Sequence, residues 1–411
     1  MPENVSTRRR LLASGAALGL APLALGRQTQ ATGGEDFSVR RFGALGNGRD
    51  DDAKAFQDAI DAAQKAGGGT VTIPSGRYRL EKGLHAKSGA RLALVGEGYA
   101  SVLLHEPDEP LLSFAETVSC DKALFRDFTI ESSGKPKSHS TPVFALDGGM
   151  TITTFENLYF DGSKQLFGSG VRTRTVADTS SFINCVFWQM SGVGIEVAKG
   201  SEIRILGGRI IGANAQRAGN VGVLLTGNSG GVHIATTDII NNHTGLQIGV
   251  PGNPSNREIF ITHATFDSSV FGIRQVDDAY TSIAGCWAAS SDQAQIALEE
   301  NAKGALMVIA GGTIFNGGAY GRKGAAHGMV VHAGTFSLSG VEIRNNGGTG
   351  LLVGEGVENY TVNGCRFHHN ATAAVLRGTG YAFVGNVLHD NEKGFVDRGT
   401  QPKELSANVM R

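Results

Sequence analysis

One short strand recurs through the middle of this chain, and that recurrence restricts the available folds more than any other feature. Gly194-Ile195-Glu196-Val197, Gly222-Val223-Leu224-Leu225, Gly245-Leu246-Gln247-Ile248 and Gly272-Ile273-Arg274-Gln275 open the series. Gln295-Ile296-Ala297-Leu298, Gly328-Met329-Val330-Val331, Gly350-Leu351-Leu352-Val353 and Ala374-Val375-Leu376-Arg377 continue it. The second residues of these segments stand 28, 23, 27, 23, 33, 22 and 24 positions apart. A repeat of that length with a strand in each unit, rather than two helices, predicts a solenoid of stacked β-coils. One coil alone has nothing to bury its apolar face against, so only the stack is stable.

Composition agrees. Glycine supplies 59 of the 411 residues, about twice the usual ~7%, as suits a backbone that turns often. Formal net charge is −1. Residues 1–31 hold Arg8, Arg9, Arg10 and Arg27 against Glu3, which leaves the remainder near −4. That balance argues against general nucleic-acid binding. Cys185, Cys286 and Cys365 share one local frame in the repeat. They should then lie three and four coils apart, ~14 and ~19 Å at ~4.8 Å per coil. A disulfide needs Cα atoms within ~7 Å, so the thiols are expected to be free, buried and structural, with no zinc site.

Ser6-Thr7-Arg8-Arg9-Arg10-Leu11-Leu12 precedes a weakly apolar run that ends at Leu25. This resembles a bacterial twin-arginine signal, and the run is short of the ~20 residues a spanning helix needs. Residues 1–31 are therefore expected to be a signal peptide. Residues 32–411 would form one exported domain, periplasmic or secreted and free of the membrane after cleavage.

From Phe37 to Leu80 the chain reads Phe42-Gly43-Ala44-Leu45-Gly46-Asn47-Gly48, then Asp50-Asp51-Asp52. A helical pattern follows with Phe56, Ala59, Ile60 and Ala63 on one face, then Gly67-Gly68-Gly69 and the strand Thr70-Val71-Thr72-Ile73-Pro74. The aspartates suit a helix start. The segment resembles the opening of the pectate lyase-like right-handed β-helix superfamily. The resemblance implies an all-β, single-stranded right-handed parallel β-helix of about ten coils, with residues 37–66 as a cap whose short helix covers the first coil. It also implies a glycan-active protein: polysaccharide lyase, glycoside hydrolase, epimerase or transglycosylase. Neither local alternative holds. Gly67–Gly69 follows a helix, the reverse of a phosphate loop, and Asp50–Asp52 lacks the spacing and glycine of a calcium loop.

Long insertions flank one strand series. Ser132–Pro142, Gly212–Gly219 and Asn316–His327 precede it, and Arg172–Ser180 and Val250–Arg257 follow it. That sheet should be the floor of a groove walled by loops. With Ile195, Val223, Leu246 and Ile273 inward, alternation turns Glu196, Leu224, Gln247, Arg274, Ala297 and Val330 outward. Lys199, Asp277, Asp278, Glu299, Glu300 and His332 come just past the strands. Arg172, Arg174, Arg217, Arg257, Arg322 and Lys323 would line the walls, with Tyr320 able to stack on a sugar.

The candidate catalytic residues are Asp277, Asp278, Glu300, Arg274 and Glu196. Gln247, Lys199, Glu299, His332, Arg174, Arg322 and Tyr320 are candidates for substrate binding. Two carboxylates hydrolyse a glycosidic bond when ~5–5.5 Å apart (retaining) or ~6.5–9.5 Å apart (inverting). Adjacent coils, ~4.8 Å apart, allow Asp277 and Glu300 either geometry. The leading expectation is thus an extracytoplasmic glycoside hydrolase acting on a polysaccharide. Alternatively, Arg274 or His332 handles a proton beside a uronic carboxylate, as in a lyase or C5-epimerase. A transglycosylase, a glycan-binding solenoid and a homo-trimer stay open. The Asp-Pro-His of alginate epimerases and the Trp-Ile-Asp-His of pectate lyases are absent. Ala326-His327-Gly328 is similar to the Gly-His-Gly of polygalacturonases, but lies 49 residues beyond Asp278. These residues call for no cofactor, and a role for calcium does not follow from them.

Overall fold

The recurring strands stack in parallel, each bonded to its counterparts in the turns before and after, and thirteen of them run in one row. The computed structural model describes residues 37–87, 91–106, 108–164, 166–252, 258–318 and 326–411. The expected signal region and Arg257, Tyr320, Arg322 and Lys323 lie outside these residues. The fold is an all-β parallel solenoid of about thirteen turns with a short N-terminal helix, three turns more than expected. The early strands Leu84–Ala86, Leu112–Phe114 and Pro142–Leu146 belong to the same row. Gly83 precedes the first of them, but the other two have Leu111 and Val143 in the glycine position.

Register follows the sequence reading from Ile195 through Val223, Leu246, Ile273, Ile296 and Met329 to Leu351. The last rung does not. Leu351 pairs with Ala374, and Val375 sits opposite Leu352 on the outer face.

The glycines have a steric cause. A Cβ at Gly194, Gly222, Gly245 or Gly272 would stand 2.5–2.6 Å from a backbone carbonyl of the next turn. At Gly194 it would also lie 2.7 Å from Ile210 Cγ2 in the core. Because this position turns inward, simple alternation breaks here. The preceding residue (Phe271, Ala294 or His327) comes to the outer face instead.

Two other strand series complete each turn and close around the core. Equivalent aromatics stack from turn to turn, Phe155 on Phe182 at 4.9 Å and Phe160 on Phe187 at 4.3 Å. Asparagines bond along the stack in the same way. Asn346 Nδ2 donates to Asn370 Oδ1 (2.8 Å), and Asn370 Nδ2 donates to Asn391 Oδ1 (3.0 Å). All four cysteines are free and buried.

The helix Ala53–Lys65 covers the first turn with Phe56, Ala59, Ile60 and Ala63, all fully buried. Asp52 does not cap it by side chain. Its carboxylate turns back to accept from the backbone N–H groups of Leu45 (2.6 Å) and Gly46 (3.0 Å). Asp51 accepts from the Ala53 N–H instead, at 3.0 Å. At the other end, the rungs that hold Leu376 and Tyr381 are followed in the final turn by Asp397 and Lys403. These two form an ion pair of 2.5 Å, and the Tyr381 hydroxyl also donates to Asp397.

Candidate active site

On the outer face of the thirteen-strand row the side chains form a column in strict register. It runs Ala145, Arg172, Glu196, Leu224, Gln247, Arg274, Ala297, Val330 and Leu352. Around Arg274 the face is hollowed into a cavity of about 310 Å³. Ala294, Ala297 and Val330 make an apolar floor, with Phe271 and Leu352 packed beside it. Arg274, Gln293, Glu299, His327 and His332 supply the polar groups. A few convergent polar groups over an apolar floor suit a sugar ring.

Arg274 is held from two sides. Its Nε donates to Glu299 Oε1 at 2.6 Å, and its guanidinium lies over the Phe271 ring at 4.7 Å. Its terminal nitrogens make no hydrogen bond among the described residues, so they remain for an incoming anion. His327 is fixed in tautomer. Its Nδ1 accepts the Thr349 backbone N–H at 3.0 Å. Burial, with nearby His332 adding to it, lowers its pKa despite that hydrogen bond. The ring is therefore neutral near pH 7 and carries its proton on Nε2.

A second constellation lies further up the column. Arg172 donates to Asp147 through Nε (2.9 Å) and Nη2 (2.6 Å), and Arg174 Nε stands 3.5 Å from the same carboxylate. Glu196 is half-buried beside them. Burial raises its carboxyl pKa, Arg172 and Arg174 pull it down, and Asp147 pushes it up again, with a net rise.

The expected site residues thus divide. Arg274, Glu299 and His332 meet in the cavity, and Gln247 occupies the next rung, its Nε2 donating to Gly249 O at 3.2 Å. Glu196 and Arg174 belong to the second constellation. Asp277 and Glu300 do follow paired strands in matching positions, but with Asp278 they lie at the strand ends and none lines the cavity. Asp277 accepts the Asp278 N–H (2.9 Å), Asp278 accepts the Gly304 N–H (2.6 Å), and Glu300 is exposed. Lys199 is exposed on the strand Val193–Ser201. The stretch from Arg172 is no wall loop: it continues the floor strand Ser169–Asp178, which puts Arg172 in the column itself. Phe271, Gln293, His327 and Asp147 were missed as members of a site. Trp287 is exposed on the other sheet, outside the groove.

One wall is well tied. Ser191 Oγ donates to Phe167 O, so it accepts from His139 Nδ1 (2.7 Å), and Arg217 Nη1 donates to Ser191 O at 2.5 Å. Gln216 Nε2 then reaches three turns along to Asp292 Oδ2 (2.9 Å), next to Gln293 of the cavity. Among the described residues, no group of three or more His, Cys, Asp or Glu is arranged to hold a metal ion.

The sequence profile described as rhamnogalacturonase A/epimerase, pectate lyase-like, matches residues 37–306, well over half the chain. The chain belongs to that family. Its members are carbohydrate-active β-helix proteins: epimerases, lyases and hydrolases. Alginate lyase 7 of Azotobacter vinelandii is 46% identical over 74 residues, 17% of this chain and 9% of the relative. Mannuronan C5-epimerase AlgE3 of the same organism is 45% identical over 78 residues, 18% of this chain and 4% of the relative. The chain thus spans less than a tenth of either relative. The solved A-module of the A. vinelandii mannuronan C-5 epimerase AlgE6 is 15% identical. It covers 92% of this chain and 99% of its own with a TM-score of 0.53, a likeness of fold.

Proposed function

We propose that the protein acts on a glycan containing uronic acid units, as a lyase or C5-epimerase, with Arg274 receiving the uronate carboxylate. The observation that carries this is the posture of Arg274: Nε engaged by Glu299, terminal nitrogens free above an apolar floor, and two imidazoles in the same cavity. A guanidinium on the carboxylate stabilises the negative charge that collects there as the C5 proton leaves. His332 is the base within reach of the cavity. His327, with its proton on Nε2, is the donor to a sugar oxygen. Elimination follows if the C4 oxygen departs, and epimerisation follows if a proton returns to the opposite face of C5.

The names of two partial relatives, an alginate lyase and a mannuronan C5-epimerase, support the same class. Hydrolysis by Asp277, Asp278 and Glu300 is the weaker reading. The Asp278 carboxylate is committed to Gly304, and none of the three lines the cavity. Export through the twin-arginine route is part of the proposal and puts the activity outside the cytoplasm.

The test is incubation with polymannuronate in D₂O, following ultraviolet absorbance for an unsaturated end and NMR for deuterium at C5. Either signal is expected in the parent. Arg274→Ala should lower kcat/KM by ~10²–10³-fold, the range for loss of one oxyanion-stabilising donor. New reducing ends with neither unsaturation nor exchange would establish a hydrolase and end this reading.

A further inference from the structure

We infer that the groove floor carries a second seat for a sugar carboxylate, formed by Arg174, Glu196 and the Arg172–Asp147 pair, so that it grips a polyuronate at two points. This rests on the uronate reading above and states where the remainder of that substrate lies.

The backbone is bent for the purpose. Thr173 pairs with Val197 and Val176 with Lys199, so Arg174 and Thr175 together face the single residue Ala198. Such a bulge re-aims side chains and is frequent beside binding sites. Here it throws Arg174 outward and exposed. Its ion pair to Asp147 is a long one, 3.5 Å through Nε. Arg172 cannot move in the same way, because Asp147 grips it through two hydrogen bonds. The cluster therefore has one fixed cation and one presented cation.

Glu196 completes it. It is half-buried, its carboxyl makes no hydrogen bond among the described residues, and it stands one rung beyond Arg172 in the column. A carboxyl left without a hydrogen-bond partner on a groove floor is costly unless something arrives to meet it. In its protonated form, which burial favours here, it offers an O–H to a sugar oxygen or carboxylate.

The distance to Arg274 selects the ligand. Four rungs separate Arg172 from Arg274, ~19 Å at ~4.8 Å per turn. The two rungs between Glu196 and Arg274 hold uncharged Leu224 and Gln247. A pyranose unit in a linear glycan is about as long as a turn is high. A chain bearing a carboxylate on every unit thus reaches Arg174 about four units after the one on Arg274. Short oligomers cannot touch both.

The full chain should be assayed on mannuronate oligomers of three and seven units, with Arg274→Ala as the marker for the first seat. In Arg174→Ala the preference for the longer oligomer, measured as the ratio of kcat/KM values, should fall about tenfold, through KM rather than kcat. Glu196→Gln, which keeps a donor, should hold the preference, and Glu196→Ala should lose it. Since Arg174 is exposed, its removal is not expected to unfold the chain, and a melting curve checks this. If Arg274→Ala lowers kcat/KM by the factor expected above while Arg174→Ala leaves the length preference intact, the second seat falls and the uronate reading stands. If the parent binds neither oligomer, both fall.

Discussion

His105 occupies a place where a charge cannot be sustained. It is fully buried, its Nδ1 has no hydrogen-bond partner among the described residues, and burial pushes its pKa down to about 3. On unfolding it regains an ordinary value near 6.5. The unfolded chain therefore takes up a proton that the folded chain refuses. Stability from this group is complete above pH ~6.5 and falls as pH drops toward 3, by about 2 kcal/mol at pH 5. His105→Leu should remove that slope, and urea unfolding at pH 7 and pH 5 would read it. Glu196 behaves oppositely for a carboxyl. Its pKa is raised in the fold, so its contribution worsens as pH rises above the unfolded value. Glu196→Gln should melt higher than the parent at pH 7, with the difference fading toward pH 4. Glu196, Gln247 and Arg274 could be placed from the sequence because alternation holds from the isoleucine of each repeat onward. Phe271 and His327 could not, because the inward turn at the following residue moves them to the face that alternation denies them.

Among the elements, the groove strand shows best what sequence pattern can and cannot fix. Its glycine is set by the approach of the next turn. Gly245→Ala would bring a Cβ to 2.5 Å from Gly272 O. It should lower stability by about 1–3 kcal/mol, measurable as a shift in the denaturation midpoint. Where the slot holds something else the pattern loses its anchor. Ala373 stands there in the twelfth strand of the row, and the sequence reading slid by one residue to Val375. The bulge at Arg174 was illegible for a related reason: the extra residue resembles a loop until the partner strand shows it to be continuous sheet. The asparagine turns were legible as a ladder, and Asn370 is its busiest member. It accepts from Asn346 and donates to Ile343 O and to Asn391. Asn370→Ala should cost roughly 3 kcal/mol, since it strands several buried polar groups at once, and chemical denaturation would show it.

At the level of the whole molecule, the solenoid and its N-terminal helix were readable because one apolar rhythm runs through most of the chain. The number of turns was not, since the second and third strands of the row keep the packing with Leu111 and Val143 in the glycine's place, which interrupts the rhythm. The location of chemistry was harder still. Charged residues at strand ends look alike in sequence, whether they prop a turn, as Asp278 does for Gly304, or face an open cavity, as Glu299 does.

A stack whose storeys all repeat one another has no intrinsic height. Asp397 and Lys403 break that repetition: they set a bonded charge pair opposite Leu376 and Tyr381, in positions where the preceding turn is apolar or aromatic. Burial works against the Asp397 carboxylate, yet Lys403 and Tyr381 still hold it below the usual range. Replacing Lys403 with leucine takes away a charge that opposes this burial, so the Asp397 carboxyl should titrate higher in the variant, and an NMR titration would register the rise.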